Sequence, residues 1–467
     1  MNLDPAPATS PRLFDAIVVG GGPAGEVCAG KLAGAGLETA LVERELIGGE
    51  CSFYACMPSK ALLRPGELAE ETHRVVGVTD ATVEPIVALR RRDEVIHELD
   101  DSGQLPWLED RGITLIRGDA RLDGERRLVV ATGDGGELRL QARRAIVLAT
   151  GSGASIPPVP GLAEIEPWTN REITTAQQVP PRILILGGGV VGVEMAQAWS
   201  SFGAHVTLVE IGERLIAQEE EIASELVADG LRGHGVDVRL GATVSGARRD
   251  PDAGESVLTL DGGEELRAEV LVVAAGRAPR TQGLGLETVG LEPGRHVEVD
   301  ARLRVPGSDW LYAIGDVNGR ALLTHEGKLQ ARIAALAIAG RDDAELRDDG
   351  PPPRVIFTSP QVAAVGMTLD QARDAGVQAT AVDGRIDAVA GASFWGKGAD
   401  ARVRFVVDER RRVLVGATFV GPDVAEMVHA ASVAVVGEVP VDRLVHAAPA
   451  FPTLSEAWLK LADWAGT

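Results

Sequence analysis

A short strand running into Gly-x-Gly-x-x-Gly, then a helix, then a second strand ending in an acid, occurs twice in this chain. The first copy is Asp15-Ala16-Ile17-Val18-Val19-Gly20-Gly21-Gly22-Pro23-Ala24-Gly25, followed by Leu41-Val42-Glu43. The second is Arg182-Ile183-Leu184-Ile185-Leu186-Gly187-Gly188-Gly189-Val190-Val191-Gly192, followed by Leu208-Val209-Glu210. Each acid stands 18 residues beyond the third glycine of its copy. The spacing has a mechanical meaning. Gly20 and Gly187 make a tight turn, Gly22 and Gly189 let backbone approach a pyrophosphate, and Gly25 and Gly192 let helix pack on strand. The phosphates then sit at a helix N-terminus, and Glu43 and Glu210 take ribose hydroxyls. One Gly-rich turn is often only a turn. The whole series, repeated in order, predicts an α/β chain with two Rossmann-like dinucleotide-binding domains.

Smaller signals fill out the plan. Ala149-Thr150-Gly151 follows the apolar run Arg144–Leu148, and Leu271–Ala275 runs into Gly276-Arg277; both read as exits from a strand. Pro157, Pro158 and Pro160 mark a linker, and Pro351-Pro352-Pro353 break the chain again. Four segments result: 1–157, a first nucleotide domain; 158–279, a second; 280–349, a return segment; and 350–467, a C-terminal α+β domain.

A length of 467 residues allows several domains with ample core. The net charge of -22 disfavours nucleic acid and anionic membrane surfaces as partners. No stretch approaches the roughly 20 apolar residues of a membrane span. Met1 to Arg12 is rich in Pro and Ala and lacks the apolar stretch of a signal peptide, so cytoplasmic residence is expected.

Three cysteines in this length do not make an extracellular disulfide framework. Cys28, in the helix after the first fingerprint, reads as a buried thiol acting as a small hydrophobe. Cys51 and Cys56 read differently. They lie in Gly48-Gly49-Glu50-Cys51-Ser52-Phe53-Tyr54-Ala55-Cys56-Met57-Pro58-Ser59-Lys60, after a glycine turn and at an expected helix start, which lowers a thiol's pKa. A Cys-x4-Cys pair there can close into a small redox disulfide.

With these residues in hand, the chain resembles the class I pyridine nucleotide-disulfide oxidoreductases, which include dihydrolipoamide dehydrogenase, glutathione reductase and mercuric reductase. The likeness runs from about Phe14 to Trp458. It includes Ala313-Ile314-Gly315-Asp316, Val355-Ile356-Phe357-Thr358-Ser359-Pro360 and Pro452-Thr453-Leu454-Ser455-Glu456. The resemblance implies FAD held by Gly20, Gly22, Gly25, Glu43, Thr150, Gly151 and Asp316. It implies a nicotinamide nucleotide held by Gly187, Gly189, Gly192, Glu210, Gly276 and Arg277. Lys60 and Glu194 would form an ion pair beside the flavin ring. Hydride would pass from the nicotinamide to the flavin and on to the Cys51–Cys56 disulfide. Cys56 would stay against the flavin as a charge-transfer thiolate, and Cys51 would attack substrate. A C-terminal domain from a second subunit completes the site in that family, so a homodimer is implied. Glu210 favours NADH over NADPH, since a carboxylate there repels a 2′-phosphate; Arg214 is the one nearby cation.

Two departures stand out. Family disulfide reductases carry His-Pro-Thr-x-x-Glu near the C-terminus, where the His, oriented by the Glu, moves protons at the interchange thiol. Here Glu456 is kept, but Phe451 occupies the place of the His, and His446 does not align. A positioned general acid contributes ~10²–10⁴-fold. An acceptor that needs no protonated leaving group is therefore expected: an activated disulfide or other electrophile. A mercuric-type metal-ion reductase has an aromatic Tyr at that place, yet no cysteine follows Cys56. A carboxylase resembling 2-ketopropyl-coenzyme M oxidoreductase/carboxylase has Phe there, yet that enzyme also changes the Glu and the Ser-Lys that this chain keeps as Glu456, Ser59 and Lys60. The second departure is Glu50, where the family has Thr or Ser. Its carboxylate either raises the pKa of Cys51 or points away. Two further readings are a quinone or dye reductase that bypasses the dithiol, and a non-catalytic redox-sensing flavoprotein. His325 should start a helix near the flavin.

Overall fold

The structure is a computed structural model that describes residues 10–466 apart from Asp80, Asp342, Asp348, Asp349 and Lys397. Residues 1–9 of the Pro- and Ala-rich N-terminus, and the expected boundary at 349, lie outside the described residues. The chain divides into two compact units. One is Met1–Met57, Ile96–Gly153 and Arg277–Asp348; the other is Pro58–Val95, Ala154–Gly276 and Asp349–Thr467.

In the first unit, Ala16-Ile17-Val18-Val19 forms the buried end of strand Arg12–Val19. It runs parallel to Thr39–Glu43 on one side and Glu137–Leu148 on the other. Thr114–Arg117 extends the sheet beyond Thr39–Glu43. Leu311–Ala313 joins it in parallel beside Glu137–Leu148, and Arg127–Ala131 and Asp119–Leu122 add an antiparallel flap. Continuous apolar strands suit a parallel sheet covered on both faces. Helices Pro23–Gly34 and Thr324–Ile338 cover one face through small residues, among them Ala29, Ala331, Ala334 and Ala335. Leu128, Leu140, Leu286 and Trp310 pack on the other.

In the second unit a parallel sheet runs in the order Asp237–Arg239, His205–Val209, Arg182–Leu186, Val270–Val273. Alternate side chains of Arg182–Leu186 serve two cores, as the strand period of two requires. Ile183 and Ile185 face Val193, Ala196, Trp199 and Val227 of helices Val190–Ser201 and Glu221–Gly233. Leu184 and Leu186 face Leu258, Leu260 and Ala268 of a three-stranded antiparallel sheet. A further five-stranded antiparallel sheet runs in the order Arg354–Ile356, Gln361–Gly366, Val413–Gly421, Arg402–Asp408, Ala379–Arg385. Helices Val428–Val436 and Leu459–Ala465 pack in its core. The fold is thus α/β, with two Rossmann-like sheets and a C-terminal α+β part. Among the described residues no helix is long and apolar enough to cross a membrane.

Candidate active site

Both fingerprints have the shape of a dinucleotide cradle. A Cβ on Gly20 would lie 2.3 Å from the Ala149 carbonyl oxygen, and one on Gly25 would lie 1.8 Å from that of Gly20. A Cβ on Gly22 meets nothing within 4 Å, which is the open side a pyrophosphate needs. The second copy repeats this: a Cβ on Gly187 would lie 2.5 Å from the Ala274 carbonyl oxygen, one on Gly192 would overlap the Gly187 carbonyl oxygen, and one on Gly189 meets nothing within 4 Å. The two acids are held alike. Glu43 accepts from the N–H groups of Gly21 (2.5 Å) and Glu45 (2.6 Å). Glu210 accepts from Gly188 (2.6 Å) and Gly212 (2.7 Å).

The fit to a flavin nucleotide in the first unit rests on orphaned polar atoms. Thr150 Oγ1 and Gln330 Nε2 are buried and have no hydrogen-bond partner among the described residues. Gln330 Oε1 meanwhile accepts from Gly315 N–H at 2.8 Å, which fixes the amide beside Asp316. Gly151 takes a left-handed φ of +71°. Ser152 Oγ donates to Asp316 at 2.5 Å, and Arg277 binds the Ser152 hydroxyl (2.7 Å) and carbonyl (2.9 Å). Gly276, at φ +133°, makes the turn before Arg277. Sequence reasoning missed Ser152 and Gln330. It also missed Glu26 in the first turn of the fingerprint helix, whose carboxyl desolvation pushes up to about 7.

The cysteine segment is pressed onto the first fingerprint. Gly48 N–H donates to Gly21 O at 2.8 Å, and a Cβ on Gly49 would lie 2.9 Å from Gly22 Cα. Both glycines have positive φ, +112° and +54°, so the expected turn is present. The expected helix start is present as two, one for each cysteine. Cys51 lies inside the five-residue helix Gly49–Phe53, while Cys56 is the first residue of Cys56–Arg74. Each cysteine therefore lies in the first turn of a helix. The expected lowering of thiol pKa is not found at Cys51. Its hydrogen bond with Cys56 and its partial burial push it up, against a bond from Thr324 and the charge of Lys328. Cys56 Sγ is 3.5 Å from Thr324 Oγ1, on the first residue of helix Thr324–Ile338; His325 is the second. Cys28 is fully buried, as expected.

In the second unit, Lys60 Nζ is 2.8 and 3.1 Å from the two oxygens of Glu194, which is itself buried. Phe357 completes this site: its N–H donates to Glu194 at 3.0 Å, and its ring lies 4.9 Å from Lys60 Nζ. The C-terminal segment presents the ring of Phe451 to solvent. That ring is 76% exposed. The Glu456 carboxylate accepts from Gly391 N–H at 3.4 Å, and His446 is exposed. Among the described residues no cluster of three or more His, Cys, Asp or Glu could hold a metal ion.

Comparison with known proteins agrees with this layout. A dihydrolipoyl dehydrogenase of Haloferax volcanii is 30% identical over 458 residues, covering 96% of this chain and 95% of that one. A mercuric reductase of Shigella flexneri is 32% identical, covering 95% and 79%. Among solved structures, a Cu(II) complex of the HOCl-induced flavoprotein disulfide reductase RclA of Escherichia coli superposes with a TM-score of 0.85 at 26% identity, covering 97% and 99%. Residues 352–462 match the dimerisation domain of the pyridine nucleotide-disulphide oxidoreductases, and residues 14–339 match that family's main domain. The chain belongs to the pyridine nucleotide-disulphide oxidoreductases and, like the other members, is a flavin-dependent enzyme.

Proposed function

We propose that this chain is an NADH-linked, FAD-containing oxidoreductase that acts as a homodimer. It passes electrons through Cys51 and Cys56 to a small acceptor that needs no protonated leaving group. The observation that carries the last point is Phe451, an exposed ring with no titratable group, together with a Glu456 whose carboxylate accepts from backbone. The same reading assigns 1–157 and 280–349 to the flavin, 158–279 to the nicotinamide nucleotide and 350–467 to the subunit contact.

Gly20, Gly22, Gly25, Glu43, Thr150, Gln330 and Asp316 would hold FAD, and Gly187, Gly189, Gly192 and Glu210 would hold NADH. When bound, FAD supplies the two-electron relay between nicotinamide and dithiol. The chain's own steps are at sulfur. Cys51 thiolate attacks one sulfur of the acceptor disulfide, forms a mixed disulfide and expels the first thiolate. Cys56 then attacks Cys51, closes the Cys51–Cys56 disulfide and releases the second thiolate. The pair is oxidised by two electrons and the acceptor is reduced by two. Without a proton donor, only a leaving group stable as an anion departs fast.

The similarity to RclA, whose structure is a Cu(II) complex, supports a second reading. Two Cu(II) ions can each take one electron from the dithiol, giving two Cu(I), the disulfide and two protons, with no leaving group at all.

NADH-driven turnover of an aromatic disulfide, of lipoamide and of Cu(II), in wild type and Cys51→Ser, tests these readings. The aromatic disulfide should turn over at least about 100-fold faster than lipoamide, and Cys51→Ser should abolish it. Equal rates on both disulfides overturn the leaving-group argument. Full activity in Cys51→Ser means that the acceptor bypasses the dithiol.

A further inference from the structure

Glu50, the residue directly before Cys51, is neither free to act on the thiol nor pointed into solvent. Its carboxylate is 2.7 Å from Arg280 Nη2, and Arg277 Nη2 stands 3.9 Å from its other oxygen. Arg280 is itself well seated: its Nε donates to Ser152 O at 3.1 Å, its backbone N–H to Gly151 O at 3.0 Å, and its Nη1 lies 3.9 Å from Glu45. Through Arg277 and Ser152 the same network reaches Asp316. Glu50 and Asp316 thus share the guanidiniums of Arg277 and Arg280, and Glu45 also has that of Arg44 at 3.4 Å. The Glu50 and Arg280 side chains are about a fifth and a quarter exposed, a setting less screened than open solvent.

We infer that Arg280 is a positioning residue for the dithiol: by pairing with Glu50 it holds a negative charge off Cys51 and keeps that sulfur able to ionise. The inference rests on the dithiol reading above and adds a residue to it. Cys51 already carries upward pressure from Cys56, relieved by the Thr324 hydroxyl and by Lys328 on the facing helix. An unpaired carboxylate on the adjacent residue would add to that pressure, and an unpaired guanidinium would oppose it. The two members of the pair therefore act on Cys51 with opposite sign. Loss of packing alone would not do this.

The test is the pH dependence of Cys51 alkylation by iodoacetamide in the dithiothreitol-reduced holoenzyme, read by peptide mass spectrometry. Arg280→Gln should move the midpoint up by roughly one pH unit and slow labelling at pH 7 about tenfold. Glu50→Gln should move it down. The double variant should return to within about a third of a unit of wild type, and Arg280→Lys should stay near wild type. If Arg280→Gln does not fold, the downward shift in Glu50→Gln still decides. Equal midpoints in all variants, or both single variants shifting the same way, overturn the inference while leaving the dithiol in place. No labelling of Cys51 at any pH overturns both.

Discussion

Cys56 Sγ lies 3.5 Å from the hydroxyl of Thr324, a residue 268 positions away that opens the helix Thr324–Ile338. Either atom can donate while Cys56 is a thiol. Once it is a thiolate only the hydroxyl can, and a hydrogen bond to the charged form favours that form. Thr324→Val removes the donor at nearly constant volume. The ionisation of the reduced dithiol should rise by about one pH unit. It is read as the pH at which the long-wavelength absorbance of the NADH-reduced holoenzyme appears. Thr324→Ser should keep the wild-type value. A titration that does not move in the valine variant excludes this role.

On the proposed reading Phe451 takes the place of a proton-moving His, so Phe451→His should supply a proton donor. Lipoamide turnover should rise about ten- to a hundredfold, below the ~10²–10⁴ of a fully placed general acid. The shortfall follows from Glu456, whose carboxylate binds Gly391 N–H and must turn to orient a new imidazole. The rate profile should also gain a limb near pH 6.5, the ordinary range of His. Turnover of an aromatic disulfide should barely change, because its thiolate leaves without a proton. Equal gains on both substrates would point to better binding rather than proton transfer.

Glu26 gives the protein a pH dependence of stability. Desolvation pushes its carboxyl from 4.5 to about 7, opposed by Lys328 and helped by Glu43. The folded state thus keeps a proton that the unfolded chain has already released. Stability falls as pH rises from about 4.5 to about 7, and the loss stays in place above that. Two and a half units correspond to about 3 kcal/mol. Glu26→Gln has no proton to lose. Its urea midpoint should exceed that of wild type at pH 8 and converge with it near pH 4. Parallel midpoints across this range would mean that Glu26 titrates near its ordinary value in solution.

The glycines and acids of both fingerprints were legible in sequence because their work is local. The turn, the close approach of Gly25 to Gly20 and the strand ending in Glu43 all lie within one βαβ unit. Lys60 and Glu194, 134 residues apart, were legible only through resemblance. Thr324, Gln330 and Arg280 had no local signal at all. Their meaning comes from partners that the fold brings to them, as with the 230 residues between Arg280 and Glu50. The expected helix start is split in two, because Gly48-Gly49 opens a short helix, Gly49–Phe53, before the longer one that begins at Cys56. For Glu50 the sequence left two outcomes open, and the ion pair with Arg280 is a third.

Glu210 and Arg214 together argue for NADH. The Glu210 carboxylate is fixed by two backbone N–H groups at the strand end, where the proposed nucleotide would bring its ribose hydroxyls. Arg214, the nearby cation, is already spent. It donates to the carbonyls of Glu219 (2.8 Å) and Ala217 (2.7 Å) and to Ser224 Oγ (2.9 Å). A 2′-phosphate would thus meet a fixed negative charge and no available guanidinium from this residue. Glu210→Gln keeps one acceptor oxygen and removes the charge. The ratio of kcat/KM for NADPH over NADH should rise about tenfold as the repulsion goes, yet stay below one, because Arg214 cannot leave its three partners without cost. A wild-type enzyme that prefers NADPH would overturn the assignment. A variant that prefers NADPH would show that the charge of Glu210 alone sets the choice, with Arg214 free to turn.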